Sequence, residues 1–217
     1  MIILKQNYSI ITEREIKQIL ESGEKPTLLL QVCCAPCSRY VLEYLSQYFS
    51  ITLYYYNPNI SPESEYLFRL EELKRLITEM PCAKGTPILD CEYDHQAFLE
   101  IAKGLEHLPE GDERCKKCYR LRLAQTALAA KENGFDYFTT SLSISPYKNA
   151  DWLNEIGEEL AQHYNLRYLV SDFKKKNGYK RSIELSSEYN LYRQDYCGCA
   201  YSKAQAEIRM LEKNGNK

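Results

Sequence analysis

Short apolar runs with strand character alternate along the chain with stretches whose apolar positions recur at helical spacing. Thr12-Glu13-Arg14-Glu15 reads as a capping box opening a short helix to about Ser22. Thr27–Val32 reads as a buried strand that stops at Cys33. Ser38–Phe49 follows with Val41, Leu42, Leu45 and Phe49 on one helical face. Ile51–Tyr56 is a second strand. Ser61-Pro62-Glu63 predicts an N-cap with proline at the first helical position, before a helix carrying Leu67, Leu70, Leu73 and Ile77 on one side. Thr86–Asp90 predicts a third, short strand and Asp94–Lys103 a helix. Glu113–Asn133 predicts a long helix closed by Gly134. Phe135–Ser141 (strand), Asn149–Tyr164 (helix) and Arg167–Val170 (strand) continue the alternation. Helices around Ser182–Glu188 and Ala200–Glu212 finish it.

Strands alternating with helices predict an α/β fold: a Rossmann-like parallel sheet with helices on both faces, plus a helical C-terminal segment. At 217 residues, without a repeat or a low-complexity linker, the chain is expected to form a single domain over 1–217, with residues 1–25 as an N-terminal helical extension. Ligands of such sheets sit outside the carboxyl ends of the strands, at a switch point. Cys33 and Cys34 follow the first central strand and fall there.

Composition narrows the function classes. The chain is 44% hydrophobic and 27% charged with a formal net charge of −2, so no global basic field marks a nucleic-acid binder, and RNA contact would need a local patch. Nineteen tyrosines are many for this length; some suit stacking on bases, most suit a core edge. Met1–Tyr8 has no apolar stretch of signal-peptide length, and the longest apolar runs, such as Leu28–Leu30, are too short to span a bilayer. The expectation is a cytoplasmic protein with no membrane association, in a compartment that keeps thiols reduced.

In that compartment nine cysteines change the picture. Seven form three tight groups: Cys33-Cys34-Ala-Pro-Cys37, Cys115-Lys-Lys-Cys118 and Cys197-Gly-Cys199. Clustered cytoplasmic cysteines point to metal or redox chemistry more than to disulfides. The first group sits at a strand-to-helix turn, the second at a helix start and the third in a glycine-containing loop. Free N–H groups at helix starts favour thiolates. Cys-x-x-Cys suits zinc, a redox dithiol or two corners of an iron–sulfur cluster. Adjacent cysteines fit one small tetrahedral ion poorly but can reach different irons or two neighbouring metals. Three groups far apart in the chain argue against a local zinc ribbon. Cys82 and Cys91 stand alone and read as core or incidental.

His95, His107 and His163 read as surface or helix histidines. Arg114, Lys116, Lys117, Arg120 and Arg122 around the Cys-x-x-Cys suit a solvated helix face as well as a basic site. Lys174, Lys175 and Lys176, followed by Tyr179, Lys180 and Arg181, interleave cations with an aromatic ring, as phosphate contact plus base stacking requires. No P-loop and no Gly-x-Gly-x-x-Gly is present.

The run Val32-Cys33-Cys34-Ala35-Pro36-Cys37-Ser38 resembles the opening motif of the QueH family of epoxyqueuosine reductases. So do Tyr55–Ile60, Arg114-Cys115 through Arg122, Thr139–Asn149, Leu191–Gln194 and Tyr196-Cys197-Gly198-Cys199, in family order over residues 26–202. The resemblance implies a Rossmann-like sheet of the HUP class and reduction of epoxyqueuosine to queuosine in tRNA with a [4Fe–4S] cluster. By the family pattern Cys33, Cys34, Cys115 and Cys118 fall on cluster-ligand positions. Cys197 and Cys199 fall on a redox-active or second-metal pair, and Cys37 on a position at which the family varies.

Loss of the epoxide oxygen as water takes two electrons and two protons, and a cluster passes electrons singly, so an external electron donor and a second element are expected. That element is either a mononuclear iron or other divalent metal on Cys197, Cys199 and Cys37, or a Cys197/Cys199 dithiol. Asp195, Tyr196 and Asp172 are candidate proton donors. A zinc-binding RNA-interaction module and a tRNA sulfur-transfer enzyme are the competing classes; the absent Ser-Gly-Gly phosphate loop counts against the latter.

Overall fold

Five parallel strands lie in the order β3-β2-β1-β4-β5: β1 Thr27–Gln31, β2 Ser50–Tyr54, β3 Ile88–Leu89, β4 Tyr137–Thr140 and β5 Arg167–Tyr168. The structure is a computed structural model and describes residues 6–215. The opening Met1–Lys5, part of the stretch read as free of a targeting segment, lies outside the described residues. The chain runs outward from β1 through β2 to β3 and returns on the other side of β1 as β4, so the switch point falls between β1 and β4.

Alternate side chains of β1 enter two separate cores, as the strand period of two requires. Leu28 and Leu30 pack under α1 (Tyr8–Ser22), α2 (Ala35–Leu45) and α3 (Glu63–Glu79). Leu29 packs with Phe138 against α5 (Glu113–Glu132) and α6 (Ala150–Tyr164). A third, small cluster joins Phe98 and Ala102 of α4 (His95–Ala102) to Cys118 and Cys199. The C-terminal segment is helical as expected, with α7 at Gly178–Glu188 and α8 at Ala200–Gly215. Among the described residues no helix is long and apolar enough to cross a membrane.

Several boundaries differ from the sequence reading. Helix α1 starts at Tyr8, so Thr12 is not a cap. Its buried hydroxyl instead faces the carbonyls of Tyr8 and Val170, at 2.9 and 2.7 Å. With Ile16 and Ile19 in the main core, the N-terminal helix is packed into the fold. Helix α2 starts at Ala35 and takes Cys37 into its first turn. Pro62 is the cap of α3 and not its first residue. The buried face of α3 is Tyr66, Arg69, Leu73 and Leu76, whereas Leu67 is 51% exposed. An arginine on the inner face shifted that register, a placement that hydrophobic periodicity does not anticipate. The strand expected over Phe135–Ser141 is shorter, because Ser141–Ile144 turns into a 3-10 helix opened by the Thr140 hydroxyl, which accepts from Leu142 N at 3.1 Å.

Two glycines separate packing from backbone freedom. A Cβ on Gly157 of α6 would lie 2.3–2.5 Å from ring atoms of Tyr168, whereas one on Gly134 meets open space but sits at φ 68°. Gly157→Ala is expected to cost about 1–3 kcal/mol by overpacking. Gly134→Ala is expected to cost about 1 kcal/mol through the left-handed backbone alone. Thermal denaturation checks the order, at about 2–4 °C per kcal/mol for a domain of this size.

Candidate functional site

Seven cysteines gather at the carboxyl end of the sheet. Cys33 follows β1, Cys34 caps α2 and Cys37 lies in its first turn. Cys115 and Cys118 occupy the start of α5, and Cys199 directly precedes α8. All nine cysteines of the chain are free thiols. The sulfurs of Cys33 and Cys34 are 3.6 Å apart, and with Cys37 all three lie within 4.8 Å of one another. The turn after β1 thus brings the adjacent cysteines and Cys37 close enough to share one ion. No other thiol, imidazole or carboxylate trio is this close among the described residues.

The second and third groups adjoin each other. Cys118 and Cys199 share one buried cluster, and the charges of Cys197 and Cys199 act on both Cys115 and Cys118. Gly111 N donates to the Cys115 sulfur at 3.3 Å, and Ser202 N to that of Cys199 at 3.4 Å. Gly198, at φ 127°, lets the third loop dock closely: its carbonyl accepts from Ser61 N at 3.0 Å. A Cβ there would meet Ile60 at 2.9 Å and Arg69 at 3.2 Å.

Buried arginines bind the groups together. Arg69 of α3 donates through Nη1 to the Cys197 carbonyl at 3.1 Å while its charge acts on Cys34. Arg122 of α5 acts on Cys118, Cys33 and Cys197, one residue from each group. Arg39 of α2 acts on Cys37 and Cys34. Each is 1% exposed. The sequence leaves Arg122 and Arg114 open between a solvated face and a basic site. Both are internal, Arg114 donating to the carbonyls of Leu105, Glu106 and Leu108. Their neighbours Lys116 and Arg120 do form surface ion pairs, with Glu155 and Glu159. Arg39 and Arg69 were missed altogether; their only signal was a cation at an apolar position of a helix.

These surroundings set the thiol chemistry. Hydrogen bonds from Cys33 and Cys37, with the nearby Arg69 charge, hold Cys34 well below the usual thiol range. The partner in that bond, Cys33, is pushed up to about 11. Burial pushes Cys118 up to about 12. Burial works against the Arg122 charge, but the negative charge that Cys118 and Cys33 would carry on deprotonation works for it, and the balance raises its pKa. Burial works against the Lys148 charge as well, but its surroundings raise its pKa on balance, and its Nζ lies 2.9 Å from the Glu110 carboxylate.

The donor set fits a bound metal. Thiolates select zinc, copper(I) and iron–sulfur clusters. Arg39 Nε and Nη1, Arg69 Nη2 and Arg122 Nε find no hydrogen-bond partner, and buried cations without one are costly unless an anion faces them. Thiolates gathered on a metal supply that anion.

The remaining candidates fall into two groups, Asp195 and Tyr196 beside Cys197 and the basic residues of the turn after β5 and of α7. Asp195 is exposed, and Tyr196 lies under the Arg69 guanidinium at 5.1 Å. Asp172 pairs with Lys174 at 2.5 Å, and Lys176 pairs with Glu13. Lys175 and Lys180 are exposed and form no ion pair among the described residues. Arg181 is held by Glu43 at 2.7 Å and Glu188 at 2.8 Å. Cys82 is exposed and Cys91 contacts Tyr66. His95 donates through Nδ1 to the Pro58 carbonyl at 2.7 Å; His107 and His163 are on the surface.

Known proteins resemble the chain over nearly all its length. A family profile described as epoxyqueuosine reductase QueH matches residues 28–205. A protein of that description from Staphylococcus epidermidis is 42% identical over 214 residues, 97% of this chain and 90% of the relative. One from Streptococcus pyogenes serotype M1 is 41% identical over 210 residues, covering 96% and 82%. One from Dehalococcoides mccartyi is 37% identical over 181 residues, covering 82% and 93%.

If metal-bound thiolates neutralise Arg122, stripping the metal leaves its charge facing buried neutral thiols. Chelator treatment is then expected to cost the wild type about 3–5 kcal/mol through this residue, and Arg122→Met is expected to lose that much less. Urea denaturation of treated and untreated protein measures both. Equal losses would show that Arg122 is balanced without metal.

Proposed function

The chain belongs to the QueH family of epoxyqueuosine reductases and is an enzyme of that type, and we propose that it reduces epoxyqueuosine in tRNA to queuosine with a [4Fe–4S] cluster on Cys33, Cys34, Cys115 and Cys118. The observation that carries this reading is the convergence of the three cysteine groups on the buried Arg122. The free thiols suit a reducing compartment, and the reading places the enzyme in the cytoplasm, supplied by an external electron donor.

Removal of the epoxide oxygen breaks two C–O bonds, forms one C=C bond and releases water, consuming two electrons and two protons. A bound cluster supplies low-potential electrons one at a time. The chain's own residues do the rest. Arg39, Arg69 and Arg122 balance the negative charge of the thiolates, and burial of Cys34, Cys118 and Cys199 keeps water from them. Lys148, fixed by Glu110, holds a positive charge beside Cys197, where the departing oxygen gains negative charge. Cys197 and Cys199 act in turnover, as ligands of a second metal with Cys37 or as a dithiol, with Asp195 at the entrance of the loop as proton donor.

The 4.8 Å triad favours a second partition. In it Cys33, Cys34 and Cys37 hold one iron or other divalent ion, and Cys115, Cys118, Cys197 and Cys199 hold the cluster. Iron and sulfide per chain in anaerobically purified variants separate the two. Both partitions expect Cys118→Ala to lose inorganic sulfide. With the first, Cys34→Ala loses sulfide and Cys197→Ser stays brown but makes little queuosine in single turnover, read by nucleoside mass spectrometry. With the second, Cys34→Ala keeps its sulfide and loses one iron, and Cys197→Ser is colourless. Colourless wild-type protein with stoichiometric zinc would instead make it a zinc-binding RNA module.

The lysine run supports a phosphate-contacting surface. Lys175 and Lys180, free of carboxylate partners among the described residues, are each expected to flatten the log–log salt dependence of tRNA binding by about 0.7–0.9 when changed to alanine. Lys174→Ala and Lys176→Ala are expected to do less, because Asp172 and Glu13 already compete for them. Arg181→Ala is expected to lower stability and leave the slope unchanged. Binding titrations over a salt series check all five positions.

A further inference from the structure

A cavity of about 760 Å³ lies between the turn that follows β4 and the turn that follows β5, with the start of α1 on its third side. Its volume falls within the roughly 300–1,000 Å³ of sites that enclose a small ligand. Tyr147 lines it and is 77% exposed, more than any other large apolar side chain among the described residues. Single exposed apolar residues are ordinary, but this one is held out by a braced turn. Tyr147 N donates to Ser145 Oγ at 3.3 Å, and Lys148 N to the Ser145 carbonyl at 3.2 Å. Asn149 then caps α6 by accepting from Asp151 N and Trp152 N. A tyrosine presented this way offers a rigid, amphipathic surface at low entropic cost.

The other walls suit a nucleotide. Lys174 and Lys175 supply cations from the turn after β5, and Asp172 beside them supplies an acceptor. Lys148 lines the cavity as well, yet its ammonium is buried, paired with Glu110, and acts on Cys197 and Cys115. Lys148 is thus a wall shared by the cavity and the thiol centre. An aromatic face together with lysines, opening beside a redox centre, is the equipment for holding a single-stranded base by stacking and its phosphate by charge.

We propose that this cavity receives one unstacked nucleotide of the substrate RNA, its base on the Tyr147 ring and its phosphate facing Lys174 and Lys175, so that the strand is led past Lys148 to the thiols. The proposal rests on the reading of the chain as an enzyme of tRNA. It separates two kinds of contact: the lysines contribute salt-dependent affinity, Tyr147 salt-independent affinity.

The test uses full-length, metal-loaded protein and tRNA bearing epoxyqueuosine, with affinities measured over a salt series. Tyr147→Ala is expected to weaken binding roughly 5- to 150-fold, the range measured when one stacked base loses its aromatic partner. Its salt slope, iron and sulfide should match the wild type, because the side chain is exposed. Tyr147→Trp and Tyr147→Phe are expected to restore most of the affinity. Binding by Tyr147→Ala within twofold of the wild type would overturn the proposal while leaving tRNA reduction intact. So would failure of both aromatic replacements to restore what alanine loses. Failure of the wild type itself to bind the tRNA would overturn both this proposal and the reading beneath it.

Discussion

Three guanidinium groups, those of Arg39, Arg69 and Arg122, are sealed from water at the carboxyl end of the sheet, and their charge must be met there. A buried cation with unsatisfied N–H groups costs several kcal/mol unless a well-placed anion faces it. Among the described residues only Arg69 of the three forms an ion pair with a carboxylate, that of Glu65 at 2.7 Å. For Arg39 and Arg122 the facing groups are sulfurs. Burial raises most of these thiols, so the charge of Arg39 and Arg122 is met only where the sulfurs are held deprotonated, as a bound metal would hold them. The arginines come from α2, α3 and α5, so that one requirement couples the helices on both faces of the sheet.

The strand ends transmit this order. Gln31, Asn57 and Thr140 form a buried polar network across the ends of β1, β2 and β4. The Thr140 hydroxyl donates to Gln31 Oε1 at 2.7 Å, and Asn57 Nδ2 donates to the Val32 carbonyl at 2.9 Å. Arg122 Nη2 donates to Asn57 Oδ1 at 2.6 Å, tying α5 to the switch point. Cys33 leaves β1 beside this network, and Cys118 lies one helical turn before Arg122. Satisfied buried networks of this kind hold one arrangement rigidly, as a centre of several thiols from distant parts of the chain requires. The nearly neutral chain carries no global attraction for RNA. The lysine-bearing turn after β5 and the braced turn at Tyr147 line one cavity.

The alternation of elements, the parallel sheet and the position of the first cysteine pair were legible because they depend on local periodicity and on a topological rule. The three cysteine groups were legible because short spacings such as Cys-x-x-Cys survive folding as local geometry. The sequence motifs also carried the family. How the groups divide their sulfurs was not legible. The closeness of Cys37 to Cys33 and Cys34 depends on α2 beginning at Ala35, and the meeting of Cys118 with Cys199 depends on how α8 returns to α5.

The arginines show why the boundary falls there. In one dimension Arg122 beside Lys116, Lys117 and Arg120 looks like a solvated face, and Arg69 interrupts an apolar pattern. A helix turns its side chains 100° apart, so neighbours in sequence face different surroundings. Which of them face the sheet follows from packing against strands and loops that are distant in the chain. Periodicity thus determined the α/β order, short spacings the grouping of the cysteines, and resemblance of the motifs the family. Tertiary contact alone decided which cations stand against those sulfurs and which remain at the surface, because burial of a charge is settled by what packs around it.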